Sequence, residues 1–551
     1  MAKLNGAQLL VKCLEKQGVK YIFGIPGAKI DRVFDALLES KIKLVVCRHE
    51  QNAAFIAAAY GRLTGTPGVI LVTSGPGVAN LATGLLTATT EGDPVIAIGG
   101  NVPRAMSFKQ SHQNADNVKL MEGVTKSSVE ARLPENIPEI IENAFRIATA
   151  PTSGACFISL PQDVLEQTTA QVPLPALALP RYDGAAYSLI EKAAVMINQA
   201  SNPVLLLGME ASRPDNAHAI REFLKKTLFA VVGTYQAAGV IPKEYVDCFI
   251  GRVGLFKNQP GDQVLDKADL VITIGYNPVE YDPEVWNANS HKKIIHIDYS
   301  MCKVHATYVP VCELIGDIAT SINRLGDVIN QRKDIFTDKT IKKARQELFH
   351  TIESGKEYDK KPIHPLRFIY ELRQAVDDSV TICCDIGTVY MWMARYFFSY
   401  RPHQLLFSNG QQTLGVALPW AIACNYAKPS DKIVSISGDG GFLFSAMELE
   451  TAVREGLHFI HYIWRDGSYN MVLEQELMKY NRKSGVDLGG IDIPSFAQSF
   501  GALGLELNDP NQFQELYHIA MASDKPVLID VPIDYSDNQN LFKAVDPRGG
   551  H

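Results

Sequence analysis

The sequence predicts an α/β protein built of three doubly wound parallel-sheet domains, and three observations carry that expectation. Short apolar runs such as KLVVC (Lys43 to Cys47), PVLLLG and KIVSIS recur along the chain, and most end in a glycine turn. Unbroken rather than alternating apolar runs are what strands need when helices cover both faces of a sheet. Stretches of helical character, NAAFIAAAYGRLTG and FSAMELETAVREG among them, separate the runs, which is the rhythm of βαβ units. Finally, 551 residues are too many for one hydrophobic core, so the units divide among several domains.

In chain order, a first domain is expected over 1–175. KLVVC is a buried strand, and RHEQ leads into an alanine-rich helix. GVILVTS is the next strand, GPGV a tight glycine turn, ANLATGLLTATTEG a helix and PVIAIGG a strand, before GACFISLPQDV closes the unit. The proline-rich VPLPALALPRYDG (Val172 to Gly184) reads as a linker. A second domain over 188–335 takes PVLLLG, FAVVGT, LVITIG and KIIHID as strands. It holds no GxGxxG turn, so a dinucleotide site there has little support. The charged stretch KDIFTDKTIKKARQELFHTIESGKEYDKK then leads into a third domain over 364–541, with strands in SVTICCDIG, QLLFSNG, KIVSISGDGG, LHFIHYIWRDG and KPVLIDVPID. GPGVANLATGLLTA and NGQQTLGVALPWAIAC share a layout of glycine turn and small-residue helix, as a distant internal duplication would leave.

Composition excludes several classes of partner. Net charge is -7 with no basic block, so nucleic acid is not an expected partner. No apolar run reaches the roughly 18–20 residues of a membrane span. The N-terminal MAKLNGAQLLVKCLEKQG is interrupted by charge and has no signal-peptide core. Nine scattered cysteines, with no CxxC pair, fit reduced thiols and a cytoplasmic location rather than disulfides or zinc.

The stretch SISGDGGFLFSAMELETAVREGLHFIHYIWRDGSYN carries two acids 27 residues apart, Asp439 and Asp466. A right-handed strand–helix–strand unit sets both strands' C-terminal ends on one edge of the sheet, where open α/β sheets bind ligands. Two hard oxygen ligands beside a helix N-terminus, with Gly438, Gly440 and Gly441 permitting close backbone approach, suit Mg²⁺ and a phosphate group. Either DG turn alone merely ends a strand in most proteins. Together they have the GDG…N spacing that resembles the thiamine-diphosphate-dependent enzymes. In that family the metal is held by the first Asp, by a residue 27 positions on and by a backbone carbonyl two residues later, which fall on Asp439, Asp466 and Ser468. The usual Asn-Asn pair at the second position is Arg465-Asp466 here, so the oxygen ligand is kept and a negative charge is added.

Other stretches extend the resemblance over nearly the whole chain. Glu50, ahead of the alanine-rich helix, is on its own a charge favoured by a helix N-terminus. The family places such a glutamate against N1′ of the aminopyrimidine, where it relays the proton that frees thiazolium C2. In SNGQQTLGVALPWAIA the bulky residue that bends the cofactor into a V falls on Leu414, although a lone Leu equally fits core packing. Gln412 offers the carbonyl expected to accept from the 4′-amine. The turns at Asp385, Gly387 and Thr388 and at Ser408, Asn409 and Gly410 would line the diphosphate, and Gly27 and Ala28 the thiazolium face. Because the family builds each site from domains of two subunits, a homo-oligomer is implied, with sites at the dimer interface and a tetramer expected.

GIPGAKIDRVFDAL, HEQNAAFIAAAYGR, GPGVANLATGLLTATTEGDPVIAIGG and GDGGFLFSAMELETAVR together resemble the acetolactate synthases, nearest the catabolic type that works without FAD. Gln475 stands where biosynthetic relatives carry tryptophan. Gln113 is retained in FKQSHQNAD, and His112 is single where pyruvate decarboxylases have tandem histidines. The resemblance implies condensation of two pyruvates to 2-acetolactate and CO₂ by carbanion and enamine chemistry, in the acetoin branch. Gln113 would contact substrate, and Met471 and Gln475 would shape the second-substrate pocket. A biosynthetic synthase large subunit and an FAD-dependent pyruvate oxidase share the fold and stand as alternatives.

Overall fold

The computed structural model describes residues 3–180, 182–289, 291–330 and 338–542. The expected limits at residues 1 and 335, Arg181 of the expected linker, and the beginning of the charged stretch lie outside the described residues. Three six-stranded sheets form the chain's framework, each parallel throughout, with a two-stranded antiparallel ribbon pairing Leu4–Asn5 to Thr168–Thr169.

In space the first sheet runs Lys43–Val46, Tyr21–Gly24, Gly68–Val72, Val95–Asn101, Ala155–Pro161, Ser127–Glu130. The third runs Leu405–Leu406, Thr381–Cys384, Ile433–Gly438, Ile460–Arg465, Val527–Pro532, Leu503–Glu506. Counted along each domain, both have the order 2-1-3-4-6-5, the topological counterpart of the duplication read from the sequence. The central sheet differs, with order 3-2-1-4-5-6 from Phe249–Arg252 to Cys312–Ile315. In each sheet the order reverses beside the domain's first strand, and that crevice beyond the strands' C-terminal ends is where such folds take ligands.

The first and third domains share one core. Helix Glu50–Thr64 lies against helix Ala417–Ala427, and Ala53, Ala54, Ala57, Ala58, Ala417, Ala421 and Ala423 are all buried. Small side chains bring the two backbones close, and helices apolar all round belong in an interior.

Local departures from the sequence reading have physical causes. GPGV is not a turn alone: after Gly75, at φ +63°, Pro76–Ala79 forms a helical turn with proline in its favoured first position. The crossover helix starts earlier than FSAMELETAVREG, at Asp439, and is broken into Asp439–Ser445, a 3₁₀ turn Ala446–Glu448, and Leu449–Arg454. The edge strands Ser127–Glu130, Phe249–Arg252, Cys312–Ile315 and Leu503–Glu506 escaped the sequence reading because each is four residues of mixed polarity. All nine cysteines are free thiols. Among the described residues no helix is long and apolar enough to cross a membrane.

Candidate active site

The reversal point of the third sheet lies between Thr381–Cys384 and Ile433–Gly438, and each strand delivers one of the expected turns. Asp439 follows directly on the second strand and is the first residue of its helix. Parallel pairing sets Gly438 opposite Trp464, so Asp466 emerges one residue further along the neighbouring strand, on the same edge. Asp439 is buried, and its two oxygens accept from the backbone N–H groups of Gly440 at 2.9 Å and Gly467 at 2.8 Å. Asp466 Oδ2 accepts from the Ser468 hydroxyl and from Asn470 Nδ2 at 2.9 Å. Burial pushes Asp439 up to about 6, and the charge of Asp466 adds to that push. Burial also raises Asp466, against the bonds from Ser468 and Asn470. Neither carboxylate has a salt-bridge partner among the described residues. The loop is pinned by Tyr469 N–H to the Val486 carbonyl and Leu488 N–H to the Gly467 carbonyl, both 2.8 Å.

The first of these turns contributes differently from expectation. Asp385 is fully enclosed, and its carboxylate accepts from the backbone N–H groups of Ile386, Gly415 and Ala417 at 2.8–3.0 Å. It thereby ties the turn after Thr381–Cys384 to the loop bearing Leu414, and burial lifts it to about 6. Gly387 has φ +119°, which glycine alone adopts without strain, and open space where a Cβ would stand. Thr388 donates to Asn470 Oδ1 at 2.8 Å and so joins this turn to Asp466 through one side chain. The Ser408 hydroxyl donates to Glu91 of the first domain, while Asn409 accepts from Tyr390 and donates to the Glu280 carbonyl at 2.8 Å. These side chains are engaged within the protein, so the backbone of the turn is what it offers to a phosphate.

Along the same loop Gln412 has φ +50° and Leu414 is half-buried against the third-domain core. Gly410 sits flush on the first domain, where a Cβ would stand 2.5 Å from Thr90 Cγ2. Met471 and Gln475 lie on helix Asn470–Tyr480, of which no residue is buried.

A second group assembles at the reversal point of the first sheet. Glu50 is the first residue of helix Glu50–Thr64, with Nδ1 of His49 capping the helix on Gln51 N–H at 3.1 Å. Glu50 as a residue is 9 % exposed, and its Oε2 accepts from Asn80 Nδ2 at 2.9 Å. Oε1 is turned to Gly77, 3.4 Å from where a Cβ would stand. A Cβ on Gly27 would collide with Thr73 at 2.4 Å, and Thr73 also packs on Gly77. Among the described residues the buried Thr73 hydroxyl has no hydrogen-bond partner, so an acceptor or donor is wanted in this corner. Ala28 follows at the exposed rim. Gln113 holds φ +60°; its carbonyl accepts from Ser74 Oγ at 2.7 Å, and Gly75 lies against its Cα. That anchoring sets its side chain beside the Thr73–Gly77 turn.

Three residues absent from the sequence reading organise these groups: Asn80, Asn470 and Glu448. Glu448 is fully buried in the third domain, and its Oε1 accepts from the backbone N–H groups of Arg48 at 2.8 Å and His49 at 3.0 Å and from Asn52 Nδ2 at 3.2 Å. It thus grips the approach to Glu50 from another domain. Nothing local in AMELE marks that role, because its partners are some 400 residues away.

Among the described residues, no hydrogen bond or ion pair joins the Glu50 group to the Asp439–Asp466 group within one chain. Nor does any cluster of three or more His, Cys, Asp and Glu side chains form a ready-made metal cage.

In the central sheet the corresponding crevice is filled by the chain itself. Glu280 Oε1 accepts from the backbone N–H groups of Met209 at 3.1 Å and Asn277 at 2.9 Å, and Oε2 from Thr234 Oγ1 at 2.6 Å. Gly208 and Tyr276 close on each other so tightly that a Cβ on Gly208 would lie 2.3 Å from Tyr276 Cα.

Comparison with known proteins follows the same three units. Residues 4–120 match the model of the thiamine pyrophosphate enzyme N-terminal TPP binding domain, 190–325 that of the central domain, and 385–531 that of the C-terminal TPP binding domain. The chain is 51% identical over 549 residues to the acetolactate synthase of Bacillus subtilis (strain 168), covering 100% of this chain and 96% of that protein. It is 44% identical over 545 residues to the catabolic acetolactate synthase of Raoultella terrigena, covering 98% and 96%. To the acetolactate synthase isozyme 2 large subunit of Escherichia coli (strain K12) it is 29% identical over 558 residues, covering 99% and 98%.

Proposed function

The chain belongs to the acetolactate synthases of the thiamine pyrophosphate enzyme family, and on that premise we propose that it condenses two molecules of pyruvate to 2-acetolactate and CO₂ as a catabolic, FAD-independent synthase. The observation that carries the reading is the pair of carboxylates, buried Asp439 and half-buried Asp466, on one edge beside the reversal point and, among the described residues, in no salt bridge.

Thiamine diphosphate and Mg²⁺ fit these residues. Two hard anionic oxygens beside a helix N-terminus match a divalent ion carrying phosphate, and a Mg²⁺ site of this kind completes its shell from phosphate, backbone and water rather than from a protein cage. Asp439, Asp466 and the Ser468 carbonyl would hold the metal; the turns at Gly387–Thr388, Ser408–Gly410 and Gly438–Gly441 would receive the diphosphate. At the other end the partnerless Thr73 hydroxyl and the fixed carboxyl of Glu50 mark a polar corner for an aminopyrimidine. When bound, thiamine diphosphate supplies a carbon nucleophile and an electron sink. Glu50 holds and returns a proton at its carboxyl, with Asn80 fixing one oxygen so that the other stays available. Leu414 and the Gln412 carbonyl shape the space between the two ends. Gln113 orients pyruvate from the Ser74–Gly75 turn, and Met471 and Gln475 bound the place of the second pyruvate.

FAD is not part of this reading. In the central crevice the amides of Met209 and Asn277 are taken by Glu280, which leaves them unavailable to a phosphate there. The site spans two subunits, in keeping with the separation of the Glu50 and Asp439 groups in one chain. The test is turnover of pyruvate by protein stripped of cofactor, with and without added thiamine diphosphate and Mg²⁺, acetolactate being read as acetoin after acid treatment. Turnover that needs both additions and no flavin supports the assignment; undiminished turnover without them ends it.

A further inference from the structure

The loop Ser408–Leu414 is held by its own domain at Asn409 and at Gly415, and the first domain holds the stretch on either side of Asn409. Helix Ala82–Thr90 ends at Glu91, and Thr87, Thr90 and Glu91 recur at the three- and four-residue spacing that puts them on one face. Each grips a successive part of the loop. Thr87 Oγ1 meets Thr413 Oγ1 at 2.8 Å, Thr90 Oγ1 accepts from Gln411 Nε2 at 3.1 Å, and Glu91 Oε1 accepts from the Ser408 hydroxyl. Glu91 is the charged member of the three, with its side chain wholly enclosed.

Its other oxygen reaches the remaining domains. Glu91 Oε2 accepts from Arg62 and, at 3.1 Å, from Gln236 Nε2 of the central domain. Arg62 in turn forms a two-pronged pair with Asp93, 2.8 Å on each prong, and donates to the Phe407 carbonyl at 2.9 Å, next to Ser408. Its guanidinium lies over the Trp420 ring, 4.8 Å from the centroid. One carboxylate therefore fixes residues 407 and 408 against all three domains, on the wall of a cavity of about 390 Å³ at their junction.

We infer that Glu91 is a positioning residue for thiamine diphosphate: it sets the Ser408–Leu414 loop in its binding conformation without touching the cofactor. The inference rests on the reading of that loop as cofactor-binding. Removing Glu91 leaves Arg62 on Asp93 and the Phe407 carbonyl, and Asn409 in place, but frees the Ser408 hydroxyl between them, so each bound cofactor must order that residue afresh. Affinity for the cofactor falls while turnover at saturating cofactor stays.

The test uses the full-length protein stripped of cofactor and retitrated with thiamine diphosphate at saturating Mg²⁺, binding being followed by tryptophan fluorescence and turnover of pyruvate separately. Glu91→Ala weakens cofactor binding by about tenfold, the size of one coupled buried contact, with kcat at saturation within about twofold. Glu91→Gln, which can still accept from Ser408, recovers most of the affinity. Ser408→Ala weakens binding too, and Glu91→Ala with Ser408→Ala is no weaker than the worse single variant. Unchanged affinity in Glu91→Ala, or losses that multiply in the double variant, overturns the inference. Should Glu91→Ala not fold, Ser408→Ala carries the test by itself, and unchanged cofactor affinity in it refutes the inference. A wild-type protein that binds no thiamine diphosphate would instead refute the assignment of the family chemistry to this chain, a separate result.

Discussion

At the scale of single residues, the same side-chain chemistry has different consequences at different burial. Glu50 offers one oxygen to Asn80 and keeps the other toward Gly77. Glu50→Gln preserves shape and loses the proton, so turnover of pyruvate falls by about a hundredfold or more, the usual worth of a positioned acid–base group, while the thermal midpoint of the protein is unchanged. Asp466 is a milder case, because an amide oxygen can replace a carboxylate oxygen as ligand. Asp466→Asn restores the residue usual in the family and retains activity at a higher Mg²⁺ requirement; Asp466→Ala loses it, and Mg²⁺ activation curves separate the two. Glu280 carries its charge into a closed crevice, and burial pushes it up from 4.5 to about 8. The unfolded chain releases that proton near 4.5 and the folded one only near 8, so over this window the native state binds more protons and stability falls as pH rises. Glu280→Gln removes the titration, and the decline of denaturant midpoints across that window becomes shallower than in the wild type.

At the scale of elements, helix starts decide where the chemistry sits. Asp439 and Glu50 are both the first residues of helices that follow parallel strands, and the two helices sit on domains of equal strand order. The strand ends and the shared edge were legible in the sequence, because apolar runs ending in glycine turns announce strand ends and a fixed spacing of acids across one βαβ unit announces a common edge. The helix starts were not, since the crossover helix was expected only from Phe444. What else stayed hidden was long-range. Glu448 reads as one more acid on an amphipathic helix, yet the break at Ala446–Glu448 delivers it to the amides of Arg48 and His49. The commitment of Asp385 to backbone amides was equally invisible, since a DIG turn has the same spelling whether its carboxylate faces a ligand or its own chain. Glu448→Ala takes the acceptor from the partly buried N–H groups of Arg48 and His49 and from the buried Asn52 amide, a loss of about 1–3 kcal/mol in denaturant unfolding. It also lowers kcat, because the start of the Glu50 helix is no longer fixed.

At the scale of the whole molecule, the proposed function makes each chain the bearer of two half-sites. Among the described residues the Glu50 group and the Asp439–Asp466 group share no direct bond, and beside the latter lie apolar side chains that the chain leaves uncovered. Leu443, Phe444 and Met447 on the Asp439 helix and the turn after it, and Val472, Leu477, Met478 and Tyr480 on helix Asn470–Tyr480, are exposed. A helix with no buried residue and a neighbouring apolar ridge form a surface that a second copy would cover. If a site takes Glu50 from one copy and Asp439 from the other, two inactive variants must complement. A dimer of one Glu50→Gln chain and one Asp439→Ala chain has one site carrying both defects and one carrying neither. Unfolding and refolding an equal mixture yields half mixed dimers with one sound site in two, so activity returns to about a quarter of the wild-type value. Each variant refolded alone stays inactive. If both groups came instead from the same chain, every site in the mixture would carry one defect, and the refolded mixture would be as inactive as its components.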